Sequence, residues 1–124
     1  MSNIYGAPEI SVQELADKLS DRRTDPTSQP FILLDVRELH ELPRANFGDE
    51  AVVVPLTELA ARQTGAMPDP VRAKDAEILV VCHHGVRSAQ VTAWMLQQGW
   101  TNVLSVAGGI DAYARQVDPA VGMY

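Results

Sequence analysis

Ile78-Leu79-Val80-Val81-Cys82-His83-His84-Gly85-Val86-Arg87-Ser88 is the stretch whose reading decides the fold. Its first part is an unbroken apolar run with β-branched residues, the pattern of a strand covered on both faces. The run stops at the only cysteine of the chain. A short loop with one glycine and one arginine follows. Ser88 then opens a periodic segment with Ala89, Thr92, Ala93 and Leu96 on one face, which predicts a helix over 88–98 closed by Gly99. Strand, tight loop and helix together point several backbone N–H groups and a helix N-terminus at one spot. A thiol at the strand end sits in that positive field, which favours the nucleophilic thiolate. Cys82 is therefore read as a nucleophile, and the loop through Ser88 as the cradle for the anion it works on. Such amides serve a persulfide if the thiolate reacts at sulfur, or phosphoryl oxygens if it reacts at phosphorus; both chemistries stay open on these residues alone.

Further strands are predicted at Phe31 to Val36, Ala51 to Val54 and Val103 to Val106, with a short extended piece at Glu9-Ile10. Ser11 and Glu14 have capping-box spacing and predict a first helix over 12–20. A short helix is predicted over 37–42, another capped by Thr57 and closed by Gly65, and a last one over 110–117. The segments 21–30 and 44–50 read as loops, 67–75 as a connection without pattern, and 118–124 as a tail. Apolar strands alternating with helices indicate an α/β sheet wound with helices on both faces. Ligands of such sheets bind beyond the carboxyl ends of the strands. Asp35 and Cys82 both fall at strand ends, so the two are expected to share one rim.

The chain has 124 residues, 46% apolar and 21% charged, which supports one domain over 1–124 and no second. A formal net charge of −6 argues against broad nucleic-acid binding, though not against a small anion held by loop amides. One cysteine rules out an internal disulfide, and with three histidines it makes a poor structural zinc set. Met1 to Gly6 lacks the basic and apolar regions of a secretory leader, and no apolar run approaches the length of a membrane span. A cytoplasmic protein without metal or other cofactor is the expectation.

Within the loop, Arg87 has two possible roles, contacting substrate or pinning the loop to Asp35. Pinning is favoured, because a loop that presents amides must be rigid. Asp35, flanked by Leu34 and Val36, needs a partner, and Asp35 and Arg37 are read as supporting residues. His83 and His84 can contact substrate and titrate near neutrality. A metal on them is disfavoured, since one tight loop does not readily converge three neighbouring side chains on one ion. Gly85 is expected to take a backbone angle other residues avoid. Gly108-Gly109 reads either as a plain turn or as a close approach to the rim, and His40 as a surface residue.

Taken together the chain resembles the rhodanese-like sulfurtransferase domains over nearly its whole length. The resemblance rests on Leu33-Leu34-Asp35-Val36-Arg37-Glu38, Val54-Pro55-Leu56, Cys82-His83-His84-Gly85-Val86-Arg87-Ser88, Gly99-Trp100-Thr101-Asn102-Val103 and Ala107-Gly108-Gly109-Ile110-Asp111-Ala112-Tyr113, in the family's order. The tail from Val117 to Tyr124 resembles the end of rhodanese domains attached to activating enzymes of molybdopterin or thiamine sulfur transfer. The resemblance implies a five-stranded parallel sheet with helices on both faces. It implies transfer of sulfane sulfur from a donor such as thiosulfate, through a persulfide on Cys82 held by the amides of His83 through Ser88, to cyanide or a thiol. A sulfur-carrier protein is a further acceptor it allows.

The loop from Cys82 through Arg87 has six residues. The related dual-specificity phosphatases and arsenate reductases have a loop one residue longer, so the count here favours sulfur over phosphorus. A non-catalytic partner-binding module is the other alternative, and such modules typically lack the cysteine. Two departures from the family pattern stand out. His83 occupies a position where many members carry arginine or lysine, so thiosulfate is expected to be a poor or pH-sensitive donor. Arg44 to Glu50 replaces the usual Gly-His-Ile-Pro-Gly-Ala stretch.

Overall fold

Two uninterrupted apolar runs form the middle of the sheet, because only a strand with both faces covered can dispense with polar alternation. In the computed structural model, which describes residues 3–124, these are β2 (Ile32–Asp35) and β4 (Ile78–Val81). Met1 and Ser2, where the stretch read for a leader begins, lie outside the described residues. The other strands are β1 (Glu9–Ile10), β3 (Ala51–Val53) and β5 (Val103–Val106). All pairings are parallel, in the order β1-β5-β4-β2-β3. The expected five-stranded parallel α/β sheet is therefore present.

Helices α1 (Val12–Thr24) and α5 (Gly109–Gln116) cover one face. There Leu15, Leu19, Ile110 and Tyr113 meet Leu33, Leu79, Val81 and Val106. Helices α2 (Leu56–Arg62), α3 (Asp69–Arg72) and α4 (Val86–Gln97) cover the other. There Leu59, Val71, Val91 and Met95 meet Leu34, Val80, Val103 and Cys82. Among the described residues no helix is long and apolar enough to cross a membrane.

Several boundaries differ from the sequence reading, each for a local reason. The capping box of Ser11 and Glu14 starts α1 as expected, but the helix runs on to Thr24 through residues read as loop. Its last turn is tied down from outside: Arg22 donates to the carbonyls of Phe31 (3.1 Å) and Glu50 (2.8 Å), and both Arg22 and Arg23 reach the Glu50 carboxylate at 2.7 Å. Thr57 is not the cap of α2. The helix begins after Pro55, and Glu38 accepts from the Thr57 hydroxyl (2.7 Å) and amide (3.2 Å). Gly65 does not close α2; the turn falls at Gln63 and a 3-10 segment follows to Ala66. α3 is a single turn, too short to show periodicity, and it is fixed by Val71 in the core and by the Trp100 indole donating to the Val71 carbonyl at 2.8 Å. Only a 3-10 turn, Leu39–Glu41, forms within 37–42.

One boundary shift matters for the site. α4 starts at Val86, two residues before the expected start at Ser88, so Val86, Arg87 and Ser88 form its first turn. First-turn amides have no intrahelical acceptor and are free to face the loop. Gly99 ends α4 as expected, just past the cap residue Gln98.

Candidate functional site

Asp35 and Val81 are register partners at the ends of the central strands, so the charged cluster after β2 and the loop after β4 do share a rim. Cys82 is the first residue past β4 and is 1% exposed. Two amides donate to its Sγ, that of Gly85 at 3.1 Å and that of Ser88 at 3.3 Å, and the thiol itself donates to the Ser88 hydroxyl oxygen at 3.4 Å, a contact that a thiolate reverses. A neutral core thiol asks for no such cluster; it is what a sulfur anion requires. The amides of His83, His84, Val86 and Arg87 meet no protein acceptor among the described residues.

Behind Ser88 lies Ser105, buried in β5, with the two hydroxyls 2.8 Å apart. When Ser88 donates to the sulfur, Ser105 donates to Ser88, giving a relay that fixes the Ser88 rotamer. The sequence reading missed Ser105. Its only signal is a hydroxyl inside the apolar run Val103–Val106.

The loop path depends on two glycines. Gly85 has φ +95° and lies against the Gly108 amide, so a β-carbon there would be both strained and crowded. A β-carbon on Gly109 would run into the carbonyls of Cys82 and His83. Those carbonyls accept instead from the amides of Ile110 (2.9 Å) and Asp111 (3.0 Å), the first turn of α5. Of the two readings of Gly108-Gly109, the structure therefore shows the close approach.

Arg87 does not reach Asp35. Its guanidinium makes a two-pronged pair with Glu41, at 2.6 and 2.9 Å, which corrects the partner but keeps the anchoring geometry. Asp35 is already taken by Arg37 through Nε at 3.1 and 3.2 Å, Nη2 at 2.8 Å and the Arg37 amide at 3.0 Å. Both Asp35 and Arg37 are buried. Arg87 holds the Glu41 carboxyl down at about 2, helped by the Glu38 amide and the Tyr124 hydroxyl against the cost of burial. Glu41 escaped the sequence reading. The pair Glu38 and Glu41 has capping-box spacing, and the structure forms that box around the 3-10 turn.

Tyr124 joins the two ion pairs. Its hydroxyl donates to Glu41 Oε1 at 2.8 Å and accepts from Arg37 Nη1 at 3.1 Å. Its ring lies on His83 at 3.7 Å with 6° between the planes, and its main-chain oxygen accepts from His83 Nε2 at 2.9 Å. An oxygen can only accept there, so Nε2 carries the proton. Burial, and then the neighbouring His84, hold the His83 pKa below its ordinary value, against the favourable bond to Tyr124. Burial thus favours the neutral ring. The tail, left unassigned by the sequence, supplies a residue of the site.

His83, His84 and Asp111 place ligand-type atoms within 4.8 Å of one another. Their arrangement suits a cation poorly. Arg115 already occupies Asp111 Oδ2 at 3.0 Å, and the two imidazoles stack face to face at 3.8 Å. His84 and His40 are exposed, Val86 stands out at 61% exposure at the start of α4, and the Arg44–Glu50 stretch joins the tail through the Asn46 amide, which donates to the Val121 carbonyl at 2.9 Å.

Comparison with known proteins identifies a family. The rhodanese-like domain profile matches residues 11–116. A protein called Sulfurtransferase from Allochromatium vinosum is 31% identical over 113 residues, which cover 91% of this chain and 94% of that protein. The rhodanese-like/PpiC domain-containing protein 12, chloroplastic, of Arabidopsis thaliana is 34% identical over 119 residues, 94% of this chain; the chain spans only 37% of that longer protein. The crystal structure of a rhodanese-like domain protein from Staphylococcus aureus superposes with a TM-score of 0.67 at 25% identity, covering 86% of this chain and 90% of that one. The strand–loop–helix around Cys82, the sheet that carries it and these relatives agree: the chain belongs to the rhodanese-like domain family.

Proposed function

We propose that this protein is a sulfurtransferase that carries sulfane sulfur as a persulfide on Cys82. The observation that supports this best is the convergence of two backbone amides on Sγ, with the Ser88 hydroxyl 3.4 Å away, at a loop of six residues. With thiosulfate as donor, the Cys82 thiolate attacks the sulfane sulfur. A new S–S bond forms, the old one breaks, and sulfite leaves with the electron pair. With a persulfide donor the same attack falls on the outer sulfur, and the donor leaves as its thiolate. The terminal sulfur then carries the negative charge, and in this reading it is met by the loop amides that have no protein acceptor among the described residues, those of His83, His84, Val86 and Arg87. Cyanide or a thiolate next attacks that terminal sulfur, releasing thiocyanate or a new persulfide and regenerating the Cys82 thiolate. Each step exchanges one S–S bond for another bond to sulfur, and no oxidant or reductant is consumed. The acceptor in the cell is a small thiol or a sulfur-carrier protein.

Incubation with a sulfur donor and cyanide tests the reading. Thiocyanate is expected from the protein and not from its Cys82→Ser variant. The intact mass of the donor-treated protein is expected to rise by one sulfur atom only when Cys82 is present. Equal thiocyanate formation by the variant would sink the proposal.

A further inference from the structure

The His83 ring, on the residue after Cys82, is stacked between two others, Tyr124 at 3.7 Å and His84 at 3.8 Å. Its Nε2 donates to the Tyr124 main-chain oxygen at 2.9 Å. In the neutral ring the other nitrogen, Nδ1, therefore carries a lone pair, and the stack fixes the direction of that lone pair. Nδ1 has no hydrogen-bond partner among the described residues. Covalent geometry keeps it close to the amide of the same residue, one of the loop amides without a protein acceptor. The titratable and charged groups around the ring are His84 in the loop, Asp111 with Arg115 on α5, Glu41 with Arg87, and the Tyr124 hydroxyl in the tail. Burial, and then His84, favour the neutral form that holds the lone pair.

We propose that His83 is a catalytic residue of the acceptor step, its Nδ1 taking the proton of an incoming neutral thiol as the thiol sulfur attacks the outer sulfur of the Cys82 persulfide. The proposal rests on the sulfur-transfer reading and adds a general base to it. An alkyl thiol of pKa about 8.5 is only roughly a few per cent thiolate at neutral pH. A preformed thiolate also brings a second negative charge against the anionic outer sulfur, while Arg87 is already engaged by Glu41. A neutral thiol enters without that repulsion and is ionised in place. Its proton goes to Nδ1 and its sulfur bonds to the outer sulfur. The S–S bond to Cys82 breaks with its electron pair left on Sγ, the acceptor departs as a persulfide, and His83 returns the proton to water. The arginine or lysine that many rhodanese-like domains carry at this position is protonated at neutral pH and has no lone pair to offer.

The experiment follows discharge of the sulfur-loaded full chain by intact mass. The protein is loaded with thiosulfate or with the persulfide of 2-mercaptoethanol, freed of donor and mixed with one of two acceptors. 2-Mercaptoethanol is protonated at neutral pH, whereas 4-nitrothiophenol is already ionised and needs no base. In the wild type, discharge to 2-mercaptoethanol should be nearly flat from neutrality up to the pKa of the thiol, because the base does the ionising. In His83→Gln, whose side-chain amide can keep the bond to the Tyr124 oxygen, the rate should instead climb about tenfold per pH unit with the thiolate fraction. At pH 7 it should lie roughly 10- to 100-fold below the wild type, the lower end of general-base effects because thiols ionise partly unaided. Discharge to 4-nitrothiophenol should fall far less. A tenfold rise per pH unit in the wild type itself would overturn the base, whether or not the variant folds. Equal slowing for both acceptors in His83→Gln would also overturn it, reducing His83 to a structural part of the loop while sulfur transfer stands. A wild type that takes up sulfur from neither donor would overturn the sulfur-transfer reading and the base with it.

Discussion

The two guanidinium–carboxylate pairs beside Cys82 have the same chemistry and opposite surroundings. Asp35 and Arg37 are two residues apart, and their side chains are 1% and 0% exposed. Glu41 and Arg87 are 46 residues apart, with side chains 11% and 29% exposed. The first pair settles a local problem. A carboxylate at the end of a buried strand is satisfied by the next cation along the chain, and the Arg37 amide closes the turn. The second pair joins the turn after β2 to the first turn of α4 and so sets where the Cys82 loop stands. One belongs to folding and the other to the site, and Tyr124 ties them together.

The largest effect that separates them is on stability. Removal of one partner from a fully buried pair leaves a stranded charge and costs about 3–5 kcal/mol. Arg37→Ala is therefore expected to lower the free energy of unfolding in urea by about that amount, while Arg87→Ala costs on the order of 1–2 kcal/mol, between the exposed and the buried cases. Equal losses in the two variants would erase the distinction.

The sheet was legible because its strands are apolar runs and its helices are marked by Ser11, Gly99 and Gly108-Gly109, all local signals. Cys82, the adjoining loop and the shared rim with Asp35 were legible for the same reason: the strand-to-helix turn lies within one stretch of chain. Partnerships across the chain were not. Arg87 reads equally well against any acid near the rim, and only the fold shows that Asp35 is spent on Arg37 while Glu41 is free. Ser105 and Tyr124 give weaker signals still. One is a single hydroxyl in an apolar strand, and the other belongs to a tail without periodicity. The end of α1 was misjudged because polar residues 21–24 stay helical through Glu50, a residue far along the chain.

Acid separates the pairs further. Glu41 ionises near 2 in the fold and near 4.5 in the unfolded chain. Below the unfolded value the unfolded chain binds the proton first, so stability rises with pH across this window. The stabilisation from Glu41 is thus fully present above pH 4.5 and is lost as pH falls toward 2. Asp111 and Glu50 are also held below their ordinary values, so the informative quantity is the difference between wild type and Glu41→Gln. That difference should shrink steadily on acidification from pH 4.5 to about 2. A constant difference over the same range would show that Arg87 does not depend on the Glu41 charge.

The smallest effect tests whether the support behind the sulfur matters as much as the support around the loop. Ser88 touches Sγ through its amide and its hydroxyl, and Ser88→Ala removes only the hydroxyl. A hydrogen bond to a charged group is worth about 1.5–3 kcal/mol, so the rate of Cys82 alkylation or persulfide formation should fall by roughly tenfold or more. Ser105 acts one step back, orienting Ser88 without touching the sulfur. Ser105→Ala should therefore slow the same reaction by only a few-fold, a loss of under about 1 kcal/mol. Combined with Ser88→Ala it should add nothing, because the hydroxyl it orients is already gone. Additive losses in the double variant would mean that Ser105 reaches the site by a route other than Ser88. The relay would then be two separate contacts rather than one chain.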